Sequence, residues 1–211
     1  MKNILCFGDS NTWGYNPRTK GRYPWGIRWT SKLQSLLGAG EYNVIEQGLC
    51  GRTTVYEDVF RPDRKGIDSL HKVLEQINRI DMVILMLGTN DCKKCYGNLA
   101  SEIAEGIAAC LDVILKYVAP ENILLISPIT LGDEVWRDEF DPEFDKESVQ
   151  TSKELKYEYS KVAKQKEVCF LAASEHANPC EADQEHLDET GHARLADAIY
   201  NSIQLDSLKS A

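Results

Sequence analysis

Hydrophobic positions along the chain fall into two alternating textures. Short, mainly apolar runs occur at 4–7 (ILCF), 42–47 (YNVIEQ), 82–87 (MVILML), 122–127 (NILLIS) and 168–173 (VCFLAA). Between them lie segments whose apolar residues recur every three to four positions, notably IRWTSKLQSLLG ending at Gly38, IDSLHKVLEQIN, and IAEGIAACLDVILKYV, which is stopped by Pro120. The short runs have strand length, and the longer pattern has the period of a helix with one buried stripe. Strands without polar alternation are buried on both faces, and their alternation with helices requires right-handed crossovers between parallel neighbours. The pattern therefore predicts an α/β fold, a three-layer α/β/α sandwich around a five-stranded parallel, flavodoxin-like sheet.

A chain of 211 residues without internal repeats or a Gly/Ser linker reads as one domain over 1–211. The longest irregular piece, SPITLGDEVWRDEFDPEFDKES from Ser127 to Ser148, is of a length that marks functional or mobile loops. Its acidic part, Asp133 to Glu147, reads as a solvated loop in which Trp136, Phe140 and Phe144 are candidate lid or subunit-contact residues. A homo-oligomer is compatible with the helical stripes, because a stripe that packs on a second copy reads the same as one that packs in a core.

Charge narrows the partners. A formal net charge of -9 sets the overall field against phosphate backbones and anionic membrane surfaces, so nucleic acid is not an expected partner. No apolar run is long enough for a membrane span or a signal-peptide core, and the expected location is cytoplasmic. Seven cysteines without a repeated spacing fit reduced thiols better than a disulfide framework. Cys92 and Cys95 form one CxxC; a zinc site needs two more ligands and a redox motif needs a strand-to-helix setting, so two small thiols in a loop is the simpler reading.

In an open parallel sheet the ligand crevice lies beyond the carboxyl ends of the strands, and polar blocks stand at those ends here. GDSN with Ser10 follows the first run, GLCGRTT with Gly51 the second, GTND with Asn90 the third, and ADQEHLDETGH the fifth. Ser10 alone reads equally as a helix cap or as a nucleophile. Asp183, three residues before His186, is close enough to accept its ring proton and fix the tautomer whose other nitrogen takes a proton from Ser10. The backbone N–H groups of Ser10 and Gly51 and the Asn90 amide are candidate oxyanion donors, glycine allowing close approach of an acyl oxygen. Asp9 fits a structural role in bonding loop N–H groups around Ser10. Trp13 and Tyr15 are candidate pocket residues, whereas Trp29 reads as core. Arg52 reads equally as a substrate-orienting cation or as half of a salt bridge. His192 falls in a helix beginning after Asp188 and reads as packed or solvent-facing; no metal is needed to explain it or His186.

FGDSNTWG, GLCGRTT, GTND and DQEH, in this order, resemble the four blocks of the SGNH hydrolase superfamily of GDSL-type esterases and lipases, and most closely its small arylesterase and acyltransferase branch. The resemblance runs from Ser10 to His186. It implies a serine esterase with Ser10 as nucleophile, Asp183 and His186 completing the triad, and Ser10, Gly51 and Asn90 as oxyanion donors. It implies no cofactor and a small-molecule ester as substrate; short acyl esters, acetylated sugars among them, are expected because the chain is compact and shows no large apolar lid domain. Asn11 departs from the leucine many members carry after the serine, which alters the wall beside Ser10 and bears on acyl preference. An acyltransferase using an alcohol acceptor and a catalytically silent acyl-sugar-binding protein are the alternatives. With His186 as base, activity is expected to fall in mild acid, near the ordinary histidine value of about 6.5 or somewhat above.

Overall fold

The apolar runs become β1 (Lys2–Gly8), β2 (Tyr42–Gly48), β3 (Met82–Met86), β4 (Ile123–Ser127) and β5 (Cys169–Ala172). In the computed structural model, which describes residues 1–209, they form one sheet in the order β2-β1-β3-β4-β5 with every neighbouring pair parallel. This is the predicted flavodoxin-like order. The chain winds first to one side of β1 and then to the other, and the reversal opens a crevice at the carboxyl ends of β1 and β3.

Helices α1 (Ser10–Trp13), α2 (Trp29–Leu37), α3 (Gly66–Gln76), α4 (Ala100–Ile114), α5 (Lys146–Lys166) and α6 (Glu189–Lys209) fill the connections. Successive strand side chains point to opposite faces, so Ile4, Cys6, Ile84, Met86, Leu124 and Ile126 pack with Trp29 and Leu33 of α2 and Leu195 and Ile199 of α6. Leu5, Phe7, Val83, Leu85, Ile123 and Leu125 pack on the other side with Leu70 of α3, Ile107 and Leu111 of α4 and Tyr159 of α5. Two covered faces explain the missing polar alternation, and at about 1.5–3 kcal/mol for each large apolar side chain removed from water this burial is the main support of the sheet.

Helix α5 is the element least visible in the sequence. Its stripe is thin, with Val149, Leu155, Tyr159 and Val162 interrupted by buried Ser152 and surrounded by charge. Asp145 defines its start, its carboxylate accepting the Ser148 N–H at 2.7 Å while the Ser148 hydroxyl accepts the Asp145 N–H at 3.1 Å. The 127–148 segment is tied down rather than loose: the Gly132 N–H donates to the Gln184 carbonyl at 2.7 Å, and Leu131 N–H to Ser152 Oγ at 3.1 Å. Phe144, a candidate lid residue by sequence, is buried in the core instead. Among the described residues no helix is long and apolar enough to cross a membrane.

Candidate active site

Sheet register assembles the crevice. Gly8 stands opposite Gly48 on one side and Met86 on the other, so the loops that leave β1, β2 and β3 start side by side. A Cβ on Gly8 would lie 2.7 Å from the Met86 carbonyl oxygen and would overlap the Thr12 hydroxyl, so this glycine is required by crowding rather than by a turn angle. One residue later Asp9 caps α1, its carboxylate accepting the Asn11 N–H at 3.0 Å. Ser10 is thereby held at the crevice floor, largely buried.

The loop after β5 brings the other partners. Gln184 adopts a left-handed conformation (φ 63°), and its N–H donates to the Cys180 carbonyl at 2.8 Å. That bend lets Asp183 Oδ1 accept the backbone N–H groups of Glu185 and His186 at 3.1 and 3.0 Å. Asp183 Oδ2 then lies 2.6 Å from His186 Nδ1, and His186 Nε2 lies 2.8 Å from Ser10 Oγ. The three side chains form one continuous hydrogen-bonded line. In the neutral ring, the carboxylate on Nδ1 keeps the proton there and leaves Nε2 with its lone pair toward the hydroxyl.

Electrostatics follow from the packing. Burial opposes charge on His186, but the neighbouring carboxylates of Glu185, Asp183 and Asp9 outweigh it, and the ring is raised to about 9. Burial likewise works against ionisation of Asp183, yet its bond to His186 and two backbone N–H bonds hold it below the ordinary carboxylate value. The ring titration thus stands well above the value expected from sequence.

Gly51 and Asn90 reach the same edge. Gly51 has φ +83° and its N–H makes no hydrogen bond to any described residue. The Asn90 amide donates one N–H to the Arg52 carbonyl at 3.1 Å, which ties it to the Gly51 loop and leaves the second N–H of that amide. Tyr15 stacks obliquely on His186, ring centroids 4.4 Å apart. Trp13 is half-buried, with the Arg22 guanidinium 5.3 Å from its ring centre.

Arg52 is turned to backbone carbonyls and makes no salt bridge among the described residues. It is 4% exposed, its Nη1 donates to the Gly8 carbonyl at 2.8 Å and to the Gln47 carbonyl, and its guanidinium lies 4.1 Å from the Phe7 ring centre. It fastens the β1 and β2 exits together. His192 is fully buried, its Nδ1 accepting the Trp29 N–H at 3.3 Å, and burial pushes it down to about 3. Cys92 is buried and Cys95 exposed, and neither is in a disulfide. Among the described residues no three His, Cys, Asp or Glu side chains are grouped to hold a metal ion.

Three features escape sequence reasoning. Asn11 reaches across to the histidine loop, accepting the Leu187 N–H at 2.9 Å. Glu185 lies buried beside the His186 ring. Lys93, 4% exposed, pairs with Glu143 at 2.5 Å and joins the turn after Asn90 to the 127–148 segment. Their only sequence signal is polar character next to a site residue, for Asn11 and Glu185, or three positions after one, for Lys93, which reads equally as solvent exposure.

Residues 6–194 match the profile of the GDSL-like lipase/acylhydrolase family. Among solved structures, a carbohydrate acetylesterase from Sinorhizobium meliloti is 33% identical, with 97% of this chain and 99% of that chain covered and a TM-score of 0.88. The inhibitor-bound aryl esterase of M. smegmatis is 32% identical, with 97% and 99% covered and a TM-score of 0.90. A member of the lipolytic G-D-S-L family from Veillonella parvula, 15% identical over 95% of this chain and 97% of that one with a TM-score of 0.69, shares the fold. A comparison with curated proteins returned no match.

Proposed function

The chain belongs to the GDSL-like lipase/acylhydrolase family, and from that premise we propose that it is a serine esterase that removes short acyl groups, acetyl above all, from small-molecule esters. The observation that carries this reading is the Ser10–His186–Asp183 line, with contacts of 2.8 and 2.6 Å. Ser10 Oγ attacks the ester carbonyl as His186 Nε2 takes its proton, and Asp183 holds the imidazolium that forms. The developing oxyanion is received by the N–H groups of Ser10 and Gly51 and by the remaining N–H of Asn90. Collapse returns the proton to the departing alcohol, and water then repeats the sequence on the acyl-enzyme to release the acid and restore Ser10.

The preference for short acyl groups draws on the acetylesterase and aryl esterase relatives and on the Tyr15 ring and the Glu185 carboxylate that stand against His186. Initial rates on p-nitrophenyl acetate, butyrate and octanoate, compared between wild type and Ser10→Ala, test it. The expected result is a rate falling with chain length and lost with Ser10. Equal background rates in both proteins overturn it.

A further inference from the structure

Glu185 is a carboxylate in a place where carboxylates are costly. Its residue is 7% exposed, its side chain makes no hydrogen bond within the described residues, and its Oε2 lies 3.7 Å from His186 Nδ1. It cannot swing away with its loop. Its N–H is held by Asp183 Oδ1 at 3.1 Å, the next two N–H groups by Asp183 and Asn11, and Gln184 is packed against Gly132. A carboxylate in so enclosed a place, held by no side-chain hydrogen bond, is stabilised when a neighbouring group supplies a positive charge. The closest group that can do so is the His186 ring in its protonated form.

This inference rests on the esterase reading: we propose that Glu185 is a positioning residue, a second carboxylate on the Nδ1 edge of His186 that acts with Asp183 to hold the ring in its charged form and so sets the pH below which Ser10 loses its base.

The coupling is reciprocal. A proton on the ring gives Glu185 an ion-pair partner, so a charged Glu185 makes the ring hold that proton more tightly. Burial is the main cause that raises the Glu185 carboxyl to about 7, against the His186 charge that lowers it, and among the charges acting on the ring that of Glu185 stands first. The surroundings leave few competitors. From the nucleophile side, Asp9 lies beneath α1 with its own titration raised by burial, and Tyr15 is raised as well. From the β2 loop, Cys50 is pushed up to about 11 by burial and stays a neutral thiol. Asp141 of the 127–148 segment and Lys93 act on Glu185 with opposite signs, and Lys93 is already committed to Glu143. His192, behind the ring in α6, stays neutral. The same charge stabilises the imidazolium that forms as Ser10 attacks, so Glu185 both delays the onset of activity with rising pH and supports the rate once the ring is neutral.

The test is the pH profile of kcat/KM on p-nitrophenyl acetate for wild type, Glu185→Gln and Glu185→Asp, beside an NMR titration of the His186 imidazole in the resting proteins. Removing the charge is expected to move the acid limb and the ring titration to lower pH by about one unit, about tenfold in the neutral fraction below the limb, while the plateau rate falls. Glu185→Asp, which restores the charge, is expected to return most of the shift. Glu185→Leu fills the buried site without charge and carries the same expectation as Glu185→Gln if the latter does not fold. A limb and a ring titration unmoved in the neutral variants, or moved as far by Asp as by Gln, overturn the proposal. The NMR measurement needs no turnover, so a shifted ring in a chain that cleaves no ester retains the tuning role and removes the esterase reading.

Discussion

Asn11 bonds the Ser10 turn to the His186 loop: its Oδ1 accepts the Leu187 N–H at 2.9 Å, across a sequence separation of 176 residues. The residue directly after Ser10 is thereby joined to the residue directly after His186, and the two catalytic candidates sit between fixed ends. Removing that acceptor leaves the Leu187 N–H buried without a partner. Asn11→Ala is expected to destabilise the fold by about 1–3 kcal/mol in denaturant titration. Loss of alignment should lower kcat about tenfold with little change in KM. A wild-type kcat in the folded variant would mean the histidine loop is held by other contacts.

The raised His186 value has two consequences of opposite sense. As a base the ring must be neutral, so kcat/KM is expected to climb through about 9 and to be low at neutral pH. In the stability of the fold the sign reverses. A group whose folded value exceeds its unfolded value of about 6.5 contributes stability fully below that pH. That contribution is lost as pH rises through about 9. A pH series of initial rates and of denaturation midpoints measures both. An activity limb at about 6.5 would show that the surrounding carboxylates do not hold the proton.

Asn90→Ala separates transition-state binding from ground-state binding. The amide already spends one N–H on the Arg52 carbonyl at 3.1 Å, so the other is the donor free to meet an oxyanion. Loss of a single oxyanion donor is expected to lower kcat by about a hundredfold while KM moves little. An unchanged kcat removes Asn90 from the oxyanion hole, and a rise in KM alone assigns it to substrate binding.

Much of this arrangement was legible in the chain because strand burial and loop chemistry leave local marks. ILCF and MVILML announce strands covered on both faces, and the polar blocks that follow them announce loops meeting at one edge. The Asp183 to His186 spacing carries its own geometry, since one bent turn is enough to bring the pair together. What the chain hides is long-range pairing. Arg52 reads as a substrate-orienting cation or half of a salt bridge until the carbonyls of Gly8 and Gln47 are seen around it. Phe144 reads as a loop aromatic until the core closes over it. Helix α5 lacks a broad apolar face because it buries only a narrow stripe and leaves the rest to charged residues.

Arg52→Met tests the role that burial gives this residue. The substitution keeps a long apolar stem over Phe7 but removes the guanidinium's bonds to the Gln47 carbonyl and to the Gly8 carbonyl, which keeps only the Leu49 N–H at 3.1 Å. The expected result is a thermal midpoint lowered by several degrees, following the about 1–3 kcal/mol cost of unpaired buried groups. The ratio of kcat/KM values between acetate and butyrate esters should stay unchanged, because the guanidinium does not select the acyl group. A change in that ratio with an unchanged midpoint would return Arg52 to the substrate.

Two glycines in the same crevice are glycine for different physical reasons, and alanine distinguishes them. At Gly51 a Cβ would find only the Arg64 and Arg61 side chains, at 3.5 Å and beyond, so the obstacle is the left-handed backbone with φ +83°. Gly51→Ala is therefore expected to fold, at a cost of about 1–2 kcal/mol, with Ser10-dependent activity retained. At Gly8 the Cβ would press on the Met86 carbonyl oxygen at 2.7 Å and on Thr12, both fixed by the sheet and by α1. Relief requires parting β1 from β3 or displacing the turn that carries Ser10. Gly8→Ala is expected to lose activity by more than about a hundredfold even where it folds, because a displacement of about 1 Å at the nucleophile is enough. Paired thermal melts and acetate hydrolysis rates decide the matter. Equal effects at the two positions would mean that backbone angle, and not the close approach of neighbouring strands, governs both.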